Sequence, residues 1–429
     1  MLAREIAKTS DPGASAQQPL SVALLGYRSN PFSGGQGIYL HYLSRALVDL
    51  GHAVDVISGP PYPDLVPGVR LIELPSLDLF ASPNHVTALR LHHLKSFSDT
   101  FEYFSMLTGG FPEPYTFGRR LVRHFRRVRP TYDIVHDNQS LCYGTLALQR
   151  MGIPLLTTIH HPITSDLELA LANAETWQAR LLIRRWHSFI GMQKKVARAL
   201  HHIVTVSERS RADIIEAFEL DPRRVHLVYN GIDTDTFCPL PEITRKPFRL
   251  MATASADQPL KGLPYLVRAI AMLRQKYPDI SLTVLGKLRE GGDTSKLIDE
   301  LNLGGAITFV SGVETRQIVN MYAEATAVVV PSLYEGFGFP AGEAMACGVP
   351  VISTNGGALP EVVGDAGITV PVRDSAAIAA AVERLFENPA EREDFARRGR
   401  ARILSKFSWR VAADAMLDLY QYVRQSEAR

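Results

Sequence analysis

The sequence predicts an α/β protein made of two doubly wound parallel-sheet domains facing each other across a cleft. Three observations support this. Two successive series of short apolar runs alternate with helix-spaced segments, a proline-rich break separates the series, and the chain has 429 residues. One core rarely organises that length, so two domains of about 200 residues each are expected.

The first series opens at SVALLGY (21–27), an apolar run closed by turn residues, as a strand buried on both faces requires. In GIYLHYLSRALVDLGH (37–52), Ile38, Leu40, Tyr42, Leu43, Ala46, Leu47 and Leu50 fall at helical spacing, and Gly51 supplies the stop. HAVDVISG (52–59) reads as the next strand, completing a strand–loop–helix–strand unit. The pattern recurs in YDIVHDN (132–138), IPLLTTIHH (153–161) and HHIVTVSE (201–208). The break is YNGIDTDTFCPLPEITRKPF (229–248), rich in turn residues and proline. The second series has strands at FRLMATAS, ISLTVLG, AITFVSG, AVVVPS and VPVIST. Between and after them, helices are expected over 263–276, near 294–302, near 315–324, from 340, near 374–388 and near 390–403. SWRVAADAMLDLYQYVRQ (408–425) is a further amphipathic helix. The expected organisation is a tail at 1–19, a first domain at 20–238, a second at 239–407, and a C-terminal helix at 408–429 crossing back to the first.

With 46% hydrophobic and 21% charged residues, the composition is that of a soluble globular protein. A net charge of +2 argues against bulk nucleic-acid binding, so any electropositive surface must be local. Cys142, Cys238 and Cys347 have no metal-ligand spacing and read as free thiols of a reducing cytoplasm. The first 19 residues lack the apolar core of a secretory signal, and no run approaches a membrane span. A cytoplasmic protein is expected, with peripheral contact at the inner membrane face as a possibility.

PSLYEGFGFPAGEAMACG (331–348) places Glu335 and Glu343 on either side of a glycine-rich corner. Pro340 suits a first helical position, which puts Glu335 on the strand-to-helix loop and Glu343 in the first helical turn. There the helix dipole would favour an acid by about 0.3–1 kcal/mol, a structural reason for Glu343 that Glu335 lacks. Gly336 and Gly338 let the backbone approach a ligand closely, and carboxylates are strong acceptors for sugar hydroxyls.

The segment PSLYEGFGFPAGEAMACGVPVISTNGGALPEVVG (331–364) resembles the signature of the retaining glycosyltransferase family 4, whose GT-B fold is two facing Rossmann-like domains. SGGQG, TIHH, VTVSERS, NGIDTDTF, PLKGL, VLG, VSGV and the closing FSW extend the resemblance over the chain from about residue 20. It implies a hexosyltransferase using a nucleotide diphosphate sugar, a UDP- or GDP-hexose, with no cofactor and no metal. It implies that Glu335 holds donor hexose hydroxyls, with the amides of Gly336, Phe337 and Gly338 near the sugar or phosphates. Glu343 would accept from the ribose hydroxyls, Lys261 would neutralise the diphosphate, and His160 would contact the sugar near the anomeric carbon. Gly34, Gly35, Ser255 and Val313 fall on the donor side. One departure stands out: the family's arginine five or six residues before this lysine is replaced by Ser255 and Ala256. The dyad DTD (233–235) falls in the interdomain turn and is not expected to hold a metal.

The family offers no carboxylate nucleophile beneath the anomeric carbon, so front-face departure and attack is the expected route. Alternatives are a nucleotide-sugar epimerase of the same fold and a non-catalytic nucleotide-sugar-binding subunit. The acceptor, whether a sugar, a lipid-linked glycan or a small molecule, is not legible. Two basic stretches bear on a membrane contact: RRLVRHFRRVR (119–129), with six arginines, and 180–198, where Trp186, Phe189 and Ile190 interleave.

Overall fold

The computed structural model describes residues 18–30, 35–79, 90–172, 174, 176–254 and 256–427. The expected N-terminal tail therefore lies almost wholly outside the described residues. The first sheet contains β1 (Ser21–Gly26), β2 (Ala53–Ser58), β3 (Val69–Glu73), β4 (Ile134–Asn138), β5 (Leu155–Thr158), β6 (Ile203–Thr205) and β7 (Val225–Leu227). Its order is β3-β2-β1-β4-β5-β6-β7, and every adjacent pair is parallel. The second sheet contains β8 (Arg249–Thr253), β9 (Ser281–Leu285), β10 (Ile307–Val310), β11 (Ala327–Val330), β12 (Val351–Thr354) and β13 (Ile368–Val370). Its order is β10-β9-β8-β11-β12-β13, again all parallel. Two doubly wound α/β domains are thus present. The three strands that the sequence pattern does not announce, β3, β7 and β13, are all edge strands, which need only one neighbour and carry a weak apolar signal.

Helices cover both faces of each sheet. On the first sheet, Leu24 and Leu47 meet the C-terminal helix Trp409–Glu427 through Met416 and Tyr420, while Leu25, Leu121 and Phe218 fill the opposite layer. The second sheet has equivalent layers around Leu266 and Val329 on one side and Val328 and Met345 on the other.

The two strands of chain that pass between the domains run side by side. The Ile232 amide donates to the Phe407 carbonyl at 2.6 Å, and Ile232 and Ser408 form a parallel bridge. Trp409 then stacks on Tyr42 of the first domain, with ring centroids 5.6 Å apart. Further along the same helix, the Tyr420 hydroxyl lies 2.6 Å from Nδ1 of the buried His136, whose Nε2 is 2.6 Å from Thr158 Oγ1. Both imidazole nitrogens are therefore satisfied, and burial holds the ring neutral by lowering its pKa to about 3. Among the described residues, no helix is long and apolar enough to cross a membrane.

Tyr420→Phe should leave one buried nitrogen of His136 without a partner. Chemical denaturation should show a loss of about 1–3 kcal/mol with little change in structure. An unchanged midpoint would mean that this contact does not fasten the terminal helix.

Candidate functional site

In open α/β sheets, ligands collect beyond the strand carboxyl ends where the strand order reverses. In the second sheet that reversal lies between β8 and β11. The loop after β8 carries Lys261 and the loop after β11 carries Glu335, so the topology brings them together. Lys261 Nζ lies 2.8 Å from Glu335 Oε1, which also accepts from Ser332 Oγ at 2.8 Å. The backbones of the two loops touch. The Leu333 amide donates to the Leu260 carbonyl at 2.7 Å, and Gly262 has φ +61° with the Pro331 carbonyl oxygen 1.9 Å from where a Cβ would sit. Any side chain at 262 would push the two loops apart. The loop after β12 braces the acid from the other side, since a Cβ at Gly357 would lie 2.2 Å from the Glu335 carbonyl oxygen.

Glu343 lies on the helix Phe339–Ala346, which starts one residue earlier than expected and has no acid in its first turn. Glu343 is its fifth residue, so the dipole reading of that position is corrected: the positive end of the helix is too far away to explain the acid. Its Oε2 accepts from the buried Tyr322 hydroxyl at 3.1 Å. Burial raises its pKa to about 7 despite that hydrogen bond. Burial, then Asp233 and Glu343, push the phenol of Tyr42 up to about 12, which places Glu343 within electrostatic reach of the first domain.

In the glycine loop the two glycines differ. Gly338 has φ +106° and caps the helix that follows. A Cβ at Gly336, by contrast, would meet nothing closer than 3.6 Å, so the protein alone does not demand a glycine there. Phe337 is only 3% exposed and packs on Phe339 and Phe407, so its side chain belongs to the core and only its amide can serve a ligand.

Across the cleft, the first sheet reverses order between β1 and β4. His160 follows β5, with its backbone amide donating to Gln139 Oε1 at 2.7 Å and Nε2 lying 2.7 Å from Asn138 Oδ1. The Asn138 amide nitrogen donates to the Gln36 carbonyl, which fixes its oxygen as the acceptor and the His160 tautomer as Nε2–H. Burial, then His161, lowers the His160 pKa to about 3, so the ring is neutral with Nδ1 as an acceptor. Its own carbonyl lies 3.6 Å from the Cβ position of Gly336, which brings the two halves of the site face to face.

Hydrogen bonds at three places on the second domain hold the halves together. Ser207 Oγ and Ser210 Oγ donate to the Gly336 carbonyl at 2.8 and 3.1 Å. The Tyr334 hydroxyl donates to Asp213 Oδ2 at 2.7 Å. Glu361 accepts from the Glu208 and Arg209 amides, both at 2.8 Å, at the N-terminus of the helix Glu208–Phe218.

The remaining donor-side residues are more scattered. Gly34 and Ser255 lie outside the described residues. Gly35 opens the helix Gly35–Asp49 with open space around its Cβ position, whereas a Cβ at Gly37, in the first turn of that helix, would lie 2.1 Å from the Asn30 carbonyl oxygen. Val313 is half-buried in the loop after β10, directly before Glu314, which caps the helix bearing Tyr322. Asp233 and Asp235 face Arg45 at 3.9 and 3.4 Å, so DTD is part of an ion-pair cluster. Sequence reasoning missed Ser332, Asn138, Tyr322, Ser207 and Ser210, lone polar residues whose roles depend on partners distant in sequence.

Comparison with known proteins identifies the family. The model of "Glycosyltransferase Family 4" matches residues 33–236, and that of "Glycosyl transferases group 1" matches residues 242–402. The chain belongs to the family 4 glycosyltransferases. This glycosyltransferase is 42% identical over 407 residues to the MMP alpha-(1->4)-mannosyltransferase of Mycolicibacterium hassiacum, covering 94% of this chain and 98% of that one. It is 28% identical to the D-inositol 3-phosphate glycosyltransferase of Saccharomonospora viridis, covering 94% of each. Among solved structures, sucrose-phosphate synthase from Thermosynechococcus elongatus shares the fold with a TM-score of 0.70 at 24% identity, covering 94% of this chain and 99% of that one. The fold is GT-B.

The raised pKa of Glu343 has a definite sign. Between about pH 4.5 and 7 the folded empty site holds a proton that the unfolded chain releases, so this group's contribution to stability falls as pH rises through that window. A ribose held by the ionised carboxylate should bind more weakly as pH drops below 7, by roughly tenfold per unit at the limit. Calorimetric titration with nucleoside diphosphate should show this slope, and Glu343→Gln should bind weakly with a flat profile. Identical profiles for the two proteins would remove Glu343 from the nucleotide site.

Proposed function

We propose that this glycosyltransferase moves a hexose, mannose, from a nucleotide diphosphate sugar to an acceptor hydroxyl with retention of anomeric configuration. The observation that carries the proposal is the 2.8 Å Lys261–Glu335 pair at the switch point of the second sheet, opposite His160. The 42% identity to an α-mannosyltransferase supports mannose as the hexose.

In this reading the donor diphosphate draws Lys261 off Glu335. The ammonium then meets the charge that builds on the departing phosphate, and the freed carboxylate, still held by Ser332, accepts from the hexose hydroxyls. His160, neutral and fixed by Asn138, presents Nδ1 as an acceptor to a further sugar hydroxyl. The absent family arginine has a candidate replacement in the loop after β9. That loop packs on residues 256–257: the Ala256 amide donates to the Lys287 carbonyl at 3.2 Å, and Asp257 accepts from Thr294. Lys287 and Arg289 are exposed there and have no carboxylate partner among the described residues. Lys287 or Arg289 would supply the second cation.

Retention by double displacement would need a carboxylate beneath the anomeric carbon. The carboxylate nearest the first-sheet switch point, Asp137, is fully buried and accepts from Ser140 and Leu141, so it cannot reach a sugar. Front-face displacement, with the departing phosphate taking the acceptor proton, fits the residues present.

Glu335→Ala and Lys261→Ala should each lower kcat/KM by about 100-fold or more, equivalent to about 2.7 kcal/mol, with unchanged circular dichroism. Proton NMR of the product should show the donor's anomeric configuration. Near-normal rates in either variant, or an inverted product, would refute the proposal.

A further inference from the structure

The helix Phe97–Leu107 is turned inside out. Its inward side carries one aromatic residue, Tyr103, beside the polar Ser98, Glu102 and Ser105, all buried, while Phe97, Phe101, Phe104 and Leu107 form an outward stripe at helical spacing. Phe97 is 58% exposed and Phe104 is 54% exposed, the reverse of what a water-facing helix shows. The helix Trp177–Trp186 lies beside it: Arg185 donates to Ser105 Oγ and Thr108 Oγ1 at 3.1 and 2.8 Å, and Leu182 lies against Gly109. That second helix has no buried residue and exposes Trp177, Leu181 and Leu182. The aromatic residues the sequence singled out there point elsewhere. Trp186 and Phe189 each pack 5.2 Å from Phe111, and Ile190 is buried.

On the other flank, the helix Glu113–Val128 joins the stripe through Arg119 over the Phe97 ring at 4.6 Å and Tyr115 against Phe101 at 5.0 Å. Its Arg120 points inward and is paired with Asp99 and Glu102. Arg119, Arg123, Arg126 and Arg127 point outward, line a groove of about 630 Å³ with Tyr115 and Tyr143, and have no carboxylate partner among the described residues. Like charges at these helical spacings repel one another, and no acid among the described residues relieves them.

We propose that this face of the first domain seats the protein on an anionic lipid bilayer, with the phenylalanine stripe and Trp177 entering the headgroup boundary and the four arginines meeting lipid phosphates. An apolar strip beside unneutralised guanidinium groups matches the chemistry of such a surface. A second copy of the same face would set arginine row against arginine row, which the charge disfavours.

Flotation with vesicles of equal parts phosphatidylglycerol and phosphatidylcholine tests this, beside vesicles of phosphatidylcholine alone. The full chain should float with the anionic vesicles at low salt and be released by high salt. The triple variant Arg123→Ala, Arg126→Ala, Arg127→Ala should partition more weakly, on the order of 100-fold, and Phe101→Ser with Phe104→Ser should also lose flotation. These residues lie outside the donor site, so nucleotide affinity should be unchanged in both variants and reports their folding. Absence of flotation, or equal flotation with neutral vesicles, would overturn the proposal. So would phenylalanine variants that float like wild type while inorganic polyphosphate binds with the same arginine dependence, and so would a dimer in sedimentation that those variants dissolve.

Discussion

An ammonium and a carboxylate 2.8 Å apart, delivered by loops 74 residues apart in sequence, set the terms for the rest of the site. Neither charge is fully immersed in water, so each satisfies the other while the cleft is empty. A ligand that enters must offer both an anion for Lys261 and hydroxyl donors for Glu335. A sugar carrying a diphosphate does so in one molecule. A free sugar leaves the ammonium where it was, and a bare diphosphate offers the carboxylate nothing. In the proposed function, selectivity for an activated sugar rests on this one ion pair.

The surrounding fold keeps that pair aligned. Gly262 lets the Lys261 loop lie against Pro331, and Gly357 lets the loop after β12 brace the backbone of Glu335. Ser207 and Ser210 hold the Gly336 carbonyl from the opposite domain, so the loop carrying the acid is also the place where the domains meet. In the proposed function, the contact between the domains and the assembly of the sugar site therefore share one loop. The paired crossing segments at Ile232 and Phe407, followed by the terminal helix on the first sheet, tie the two domains together beside that loop.

Much of this was legible in the sequence because buried parallel strands and their helices carry strong local signals. Every central strand was marked by an apolar run, whereas the edge strands β3, β7 and β13, half-exposed or only three residues long, were not. Glu335 stood out because a charged residue in a glycine-rich corner has no packing reason to be there, while Lys261 was marked by the resemblance of PLKGL to the family pattern. Glu343 was reached through the family resemblance, and the competing structural reason for it, the helix dipole, fell away because the helix starts one residue earlier than expected. Residues that act by meeting a distant partner stayed hidden, since nothing in the neighbourhood of Ser207, Asn138 or Tyr322 reports what the fold places opposite them. The membrane-like face was half visible. The arginine row could be counted, but only the structure shows that Trp186 and Phe189 turn inward while Phe97 and Phe104 turn out.

The most direct measurement of the central claim is a crystal structure of the chain with an intact nucleotide diphosphate hexose. The account predicts Lys261 Nζ on a phosphate oxygen, its contact with Glu335 broken, and the Glu335 carboxylate on hexose hydroxyls. A donor bound with the Lys261–Glu335 pair intact, or bound away from the loops after β8 and β11, would contradict it.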